Sequence, residues 1–252
     1  MDAVRRQRAS LEHTAHRPFP RSRSPWVMGQ SWLDLLFMHW TVPEAALRPA
    51  VPDVLPIDTF EGSAWIGVTP FEVVGLHPRG LPPLPRLSRF PELNVRTYVT
   101  LDGRPGIWFL SLDAARMAAV SGARLTYRLP YRHARMGIRR AGERIDYRSR
   151  AGVAALRATY APEGPPAQPA PGTLEHFLTE RYCLYTLGRR GRPRRADIHH
   201  VPWSLQPARA ELAENTMTEP FGIRVRDREP LLHYAARQDV LIWPPVRCTE
   251  PG

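Results

Sequence analysis

The chain has 252 residues and no uninterrupted apolar run of the ~18 residues a membrane helix needs, and its two cysteines, Cys183 and Cys248, lie outside any CxxC pair. A helical membrane protein and a dense disulfide framework are both excluded. The 28 prolines are about twice ordinary usage, which argues against long helices and for short elements joined by defined turns. The net charge of +11 comes from arginine alone, because the sequence contains no lysine.

Replacement of every lysine by arginine reads first as the product of a GC-rich genome. Most of the excess charge sits in two short segments, residues 1–25 and the run RRGRPRR at 189–195. Residues 1–25 are polar, basic and broken by proline, and are expected to be a disordered tail. They lack the apolar core of a secretory signal, so a cytoplasmic location is expected. A single domain is expected over residues 26–247.

QSWLDLLFMHW (30–40) fits a buried strand or a helical turn, and periodicity does not separate the two. Residues 43–51 read as a short helix starting at Pro43. Residues 57–76 read as a strand, a two-residue turn and a longer strand, and 76–90 as a proline-rich loop. NVRTYVTLDGRPGIWFLSL (94–112) is a hairpin, with Asp102-Gly103 as its turn. Residues 113–122 read as a helix with Asp113 as N-cap and Gly122 as its stop.

Residues 123–129, 133–140, 143–150 and 153–161 read as a meander of antiparallel strands. In 143–150, Ile145, Tyr147 and Ser149 share one face by alternation. After a proline-rich loop (162–172), a helix capped by Thr173 is expected, then a strand, a basic tip at 189–195 and a returning strand. The chain closes with extended segments within 201–217 and 231–245. A continuous β-rich α+β fold is the simplest account.

The segments LFMHWTVPEAALRPAVP, FEGSAWIGVTPFEV, FPELNVRTYV, GIWFLSLDA, ARLTYRLPY, LTERYCLY, IHHVPWSL and VLIWP, spread over about residues 30–245, carry a family resemblance. The chain resembles the YqjF-like family of uncharacterised bacterial proteins, in the acetoacetate-decarboxylase-like superfamily. The resemblance implies a curled, barrel-like antiparallel sheet with a few short helices around a pocket. Acetoacetate decarboxylase carries paired lysines in a stretch of the form GREx-x-GFPKK. In the corresponding GARLTYRLPYR (122–132), Tyr131 and Arg132 fall on the lysine positions. An imine needs a neutral amine; arginine stays protonated and tyrosine is not an amine. A lysine Schiff-base decarboxylation is therefore excluded for these residues.

Glu92 and Tyr131 are the candidate catalytic groups, as base and proton donor. Arg96, Tyr98, Arg124 and Arg132 are the candidate ligand-binding groups, suited to a small organic anion. The competing account is a structural network in which Glu92 pairs with Arg96 or Arg124. No metal is expected: His39, His176 and His233 are scattered, and adjacent His199 and His200 on a strand point to opposite faces. No phosphate-cradling or dinucleotide motif is present, so no cofactor is expected. Nucleic-acid association through the basic segments is disfavoured, since neither offers a stacking aromatic beyond Phe19.

Overall fold

The computed structural model describes residues 3–248 except 86, 119 and 122–126. The first segment departs from expectation. Instead of a structureless tail it carries a helix, α1 (Ala3–Ala9), and a single 3-10 turn at Ser10–Glu12. Burial explains the difference: Gln7 is fully enclosed and donates to Ser31 Oγ at 3.0 Å. A lone polar residue in an otherwise basic segment gives no sequence signal of such docking.

The apolar run at 30–40 is part of a long strand, β1 (Met28–Val42). Leu35 and Phe37 enter one apolar cluster while Leu36, Met38 and Trp40 enter another. A strand buried on both faces shows no polar alternation, which is why its pattern is ambiguous. At Asp34 the backbone turns to φ 51° and the pairing with the next strand shifts, so β1 carries a bulge that exchanges the faces of the residues after it.

After the short helix α2 (Glu44–Leu47) comes β2 (Ala64–Pro78). The strand expected near Ile57 is reduced to single bridges, Ile57 with Val99 and Phe60 with Ser63. The hairpin is as expected: β3 (Arg89–Leu101) and β4 (Arg104–Ala114) join through Asp102 and Gly103, both at positive φ. The helix expected to start at Asp113 begins later. Asp113 lies on β4 with its carboxylate bound by Arg132, because the strand buries it before any helix can use it as a cap. Most of the strand expected at 123–129 lies outside the described residues.

The remaining strands are β5 (Tyr131–His133), β6 (Arg135–Ala141), β7 (Arg144–Ala151), β8 (Ala154–Pro162), β9 (Cys183–Leu187), β10 (Pro193–His199), β11 (Gln206–Asn215), β12 (Leu231–Ile242) and β13 (Val246–Arg247). Helix α3 (Leu174–Thr179) precedes β9, and Thr173 Oγ1 accepts from the His176 amide at 3.3 Å as its cap.

The pairing order β10-β9-β4-β3-β2-β1-β12 closes on itself where β10 meets β12, at Ile198 with Ile242 and His199 with Leu241. Closure makes a barrel whose inward residues alternate with outward ones. The pairs are antiparallel except β4 with β9 and with the short β5, which are parallel. Beyond β12 the sheet continues as β11-β8-β7-β6. This wing folds back over the outside of β1, β2 and β3. Its buried Ile145, Tyr147, Leu156 and Tyr160 share one apolar cluster with the outward-facing Leu36, Ile66, Val68 and Val95. Among the described residues, no helix is long and apolar enough to cross a membrane.

Candidate functional site inside the barrel

Alternation along β3 places Glu92, Asn94 and Arg96 on its inner face, and all three line a cavity of about 50 Å³. At ~10–15 Å³ per water, this holds several waters or a small organic molecule. β1 contributes Gln30 and Trp32 before its bulge and Leu35 after it. Without the extra residue at Asp34, Leu35 would face the wing instead. The opposite wall is mostly apolar, with Phe109, Leu184 and Ile242.

Glu92 is 4 % exposed, and its carboxyl oxygens each accept from the Tyr131 hydroxyl at 3.4 Å, the long limit of a hydrogen bond. No cation pairs with it among the described residues, so burial dominates and pushes its pKa up to about 8. Tyr131 is itself held well above its ordinary value, first by burial and then by the Glu92 charge. At neutral pH Glu92 is thus mostly a carboxylic acid, able to donate a proton as well as to accept one.

Arg96 is 5 % exposed and donates to the Leu178 carbonyl at 3.2 Å. Its guanidinium lies 5.1 Å from the Phe37 ring centre, and its Nε has no partner. Among the described residues no carboxylate pairs with it. Of the two pairs in the competing account, Glu92–Arg96 is not formed, the two groups occupying one wall without touching, and Glu92–Arg124 falls outside the described residues. Gly67 opposes Arg96 on β2, and a Cβ there would lie 2.9 Å from His39 Cδ2 and 3.5 Å from Arg96 Cγ. A hydrogen at this position is what lets His39 and Arg96 share the interior.

The other candidates lie elsewhere. Tyr98 is on the inner face of β3 but below the cavity, where its hydroxyl donates to Leu178 O at 2.9 Å and meets His39 Nε2 at 2.7 Å. Arg132 does not line the cavity. It binds the fully buried Asp113, whose other oxygen accepts from Ser149 on the wing at 3.4 Å. Adjacent residues on a strand diverge, so Tyr131 points in where Arg132 points away. Arg124 lies outside the described residues.

Several wall residues carried no distinguishing signal in the sequence. Trp32 and Trp203 stack with centroids 6.0 Å apart, and the indole N–H of each is buried without a partner. His200 faces the cavity region with Nδ1 2.8 Å from Val201 O and Nε2 3.3 Å from Arg181 O, and burial lowers its pKa. Its neighbour His199 points outward to Ser10 O at 2.8 Å, and burial depresses it to about 4. The divergence of these two histidines is as strand geometry anticipates. Among the described residues no group of three or more His, Cys, Asp or Glu is placed to hold a metal ion.

Comparison with known proteins matches residues 29–239 to the DUF2071 family, described as an uncharacterized conserved protein. The uncharacterized protein YqjF of Bacillus subtilis (strain 168) is 48% identical over 222 residues, covering 87% of this chain and 91% of that protein. Among solved structures, the enduracididine biosynthesis enzyme MppR complexed with pyruvate is similar, with a TM-score of 0.62 at 12% identity over 89% of this chain and 91% of that one. Acetoacetate decarboxylase from Legionella pneumophila subsp. pneumophila str. Philadelphia 1 gives a TM-score of 0.61 at 11% identity over 95% of each chain. At such identities the likeness is one of fold.

Proposed function

The chain belongs to the DUF2071 family and has an acetoacetate-decarboxylase-like fold, and from that premise we propose that its barrel cavity binds a small organic acid. Arg96 is the observation that carries the reading. A cation at 5 % exposure with no carboxylate partner among the described residues is costly to keep. An anion in the cavity offsets that cost. The unpaired N–H groups of Arg96, Trp32 and Trp203, all on wall residues, supply further donors for its oxygens. The pyruvate complex of a protein with this fold is consistent with a small acid as ligand.

If the bound acid reacts, it does so without a lysine imine, because the sequence has no lysine. Glu92 is the group suited to move the proton. With a pKa pushed to about 8 it is a general acid at neutral pH and a base once deprotonated. Tyr131, in contact with Glu92, donates a hydrogen bond and carries no charge. Arg132 and Tyr98 have no part in this reading: one is bound to Asp113 and the other to His39 and Leu178. A cytoplasmic location is part of the same proposal.

The test is calorimetric titration with acetate, pyruvate and acetoacetate, against the wild-type protein and Arg96→Gln. Binding of at least one acid, weakened about tenfold or more by Arg96→Gln, is expected; a charge-assisted hydrogen bond contributes roughly 1.5–3 kcal/mol. Binding unaffected by the substitution removes Arg96 from the site. No binding of any acid to a folded protein removes the reading.

A further inference from the structure

We propose that the N-terminal segment forms a second anion site, on the outside of the barrel, for an oligophosphate chain of two or three phosphoryl groups. Residues 17–26, bent at 18–19 and 23–24, wall a groove of about 730 Å³ together with Arg79 and Trp243. That volume lies within the range of small-molecule sites, ~300–1,000 Å³.

The groove is built by specific contacts. Trp243 Nε1 donates to Ser24 O at 2.7 Å, the Val27 amide to Ile242 O at 2.9 Å and the Arg79 amide to Val27 O at 2.9 Å. Arg17 anchors the other end of the segment by donating to Ile198 O at 2.7 Å. The Ser22 and Ser24 hydroxyls meet at 2.8 Å and fix the turn between them. The segment is thereby held in one shape before any ligand arrives, which lowers the ordering cost of binding.

The charge in this groove is of one sign. Arg17, Arg21, Arg23 and Arg79 all line it, and among the described residues no carboxylate does. Arg17 is committed to Ile198 O, Phe19 O and His199 Nδ1. Arg79 lies 5.6 Å from the Trp26 ring centre. Arg21 and Arg23 are exposed, and neither they nor Arg79 has an ion-pair partner among the described residues. Guanidinium groups lining one concave surface without acidic neighbours in it raise the positive potential there. Each presents a fork that matches two phosphate oxygens. A single carboxylate neutralises only one of them, whereas a di- or triphosphate places a charge opposite each. Trp26 and Trp243 are buried, and the half-buried Phe19 ring carries the Arg104 guanidinium 5.0 Å from its centre, so the groove offers cations rather than an open stacking platform. The recognition is of phosphate, whether the chain is free or esterified.

This site is independent of the barrel cavity, and its residues before Trp26 precede the part of the chain matched by the family. The test is titration at low salt with sodium tripolyphosphate, ATP and adenosine as separate arms. The proteins are the wild type, Arg21→Ala/Arg23→Ala, and a control, Arg148→Ala/Arg157→Ala, which removes the same charge from the outer face of the wing. One tripolyphosphate per chain is expected, weakened at least tenfold by the groove variant and less than twofold by the control. ATP binding comparable to tripolyphosphate, with adenosine silent, identifies the phosphate chain as the recognised part. Equal weakening by both variants marks a general charge effect and overturns the proposal. So does absence of binding, binding of adenosine alone, or binding that the groove variant leaves intact.

Discussion

Among single residues, Glu92 carries the most specific physical consequence. Its carboxyl is raised in the folded state from the ordinary 4.5 to about 8 by burial. The folded protein therefore binds this proton more tightly than the unfolded chain. The resulting stability is complete below about pH 4.5 and is lost as pH rises towards 8. Buried His39, His199 and His200 are depressed, so they pull the other way and lose stability as pH falls below their ordinary 6.5. The informative quantity is thus a difference between variants. Glu92→Gln should gain stability relative to the wild type as pH rises from 5 to 8, by on the order of several kcal/mol. Urea unfolding across that range measures it, and a constant difference would show that Glu92 titrates normally. Glu92 itself was legible in the sequence as a candidate. That it lacks a cation among the described residues was not, because the choice between Arg96 and the cavity depends on where each strand's inner face lies.

The bulge at Asp34 shows how one element sets the site. Its carboxylate accepts from Tyr234 at 2.7 Å and from Arg140 at 2.6 Å, and its carbonyl accepts from Tyr160 at 2.7 Å. These contacts hold a non-glycine residue at φ 51° and tie β1 to the wing. Asp34→Ala loses both side-chain bonds while keeping the left-handed backbone, so a destabilisation of about 2–4 kcal/mol is expected. Asp34→Gly relieves the backbone but not the lost bonds, and should fall between wild type and Asp34→Ala. Chemical denaturation of the three proteins checks the order; Asp34→Gly as unstable as Asp34→Ala would show that backbone strain contributes nothing. Asp34 stood out in the sequence only as a polar residue in an apolar run. Its role as the point where the strand changes face requires the partners from β6, β8 and β12. The hairpin at Asp102-Gly103 was legible because its signal is local: the turn requires two residues tolerant of positive φ.

Across the whole molecule, the outer face of the barrel and the wing share one apolar cluster. Tyr147 on the wing also donates to the carbonyl of Glu92 on the barrel at 2.7 Å. Neither part can open without exposing the other's core, so the two should unfold together. Far-ultraviolet circular dichroism and tryptophan fluorescence should give coincident denaturation curves. Separate transitions would mean that the wing is an independent unit.

The sequence by itself determined the β-rich class, the hairpin, the wing meander, the family resemblance and the absence of a lysine for imine chemistry. Each of these rests on local patterning or on residue type, which neighbours along the chain suffice to reveal. Tertiary structure alone decided which of the candidate arginines enters the cavity. Arg96 on β3 and Arg132 on β5 are the same residue type, yet one faces the interior with no carboxylate partner among the described residues and the other is bound to Asp113. It also decided that the basic first segment docks on the barrel. Facing direction and partner are set by barrel closure and by contacts between residues far apart in the chain, and these leave no mark on the order of residues.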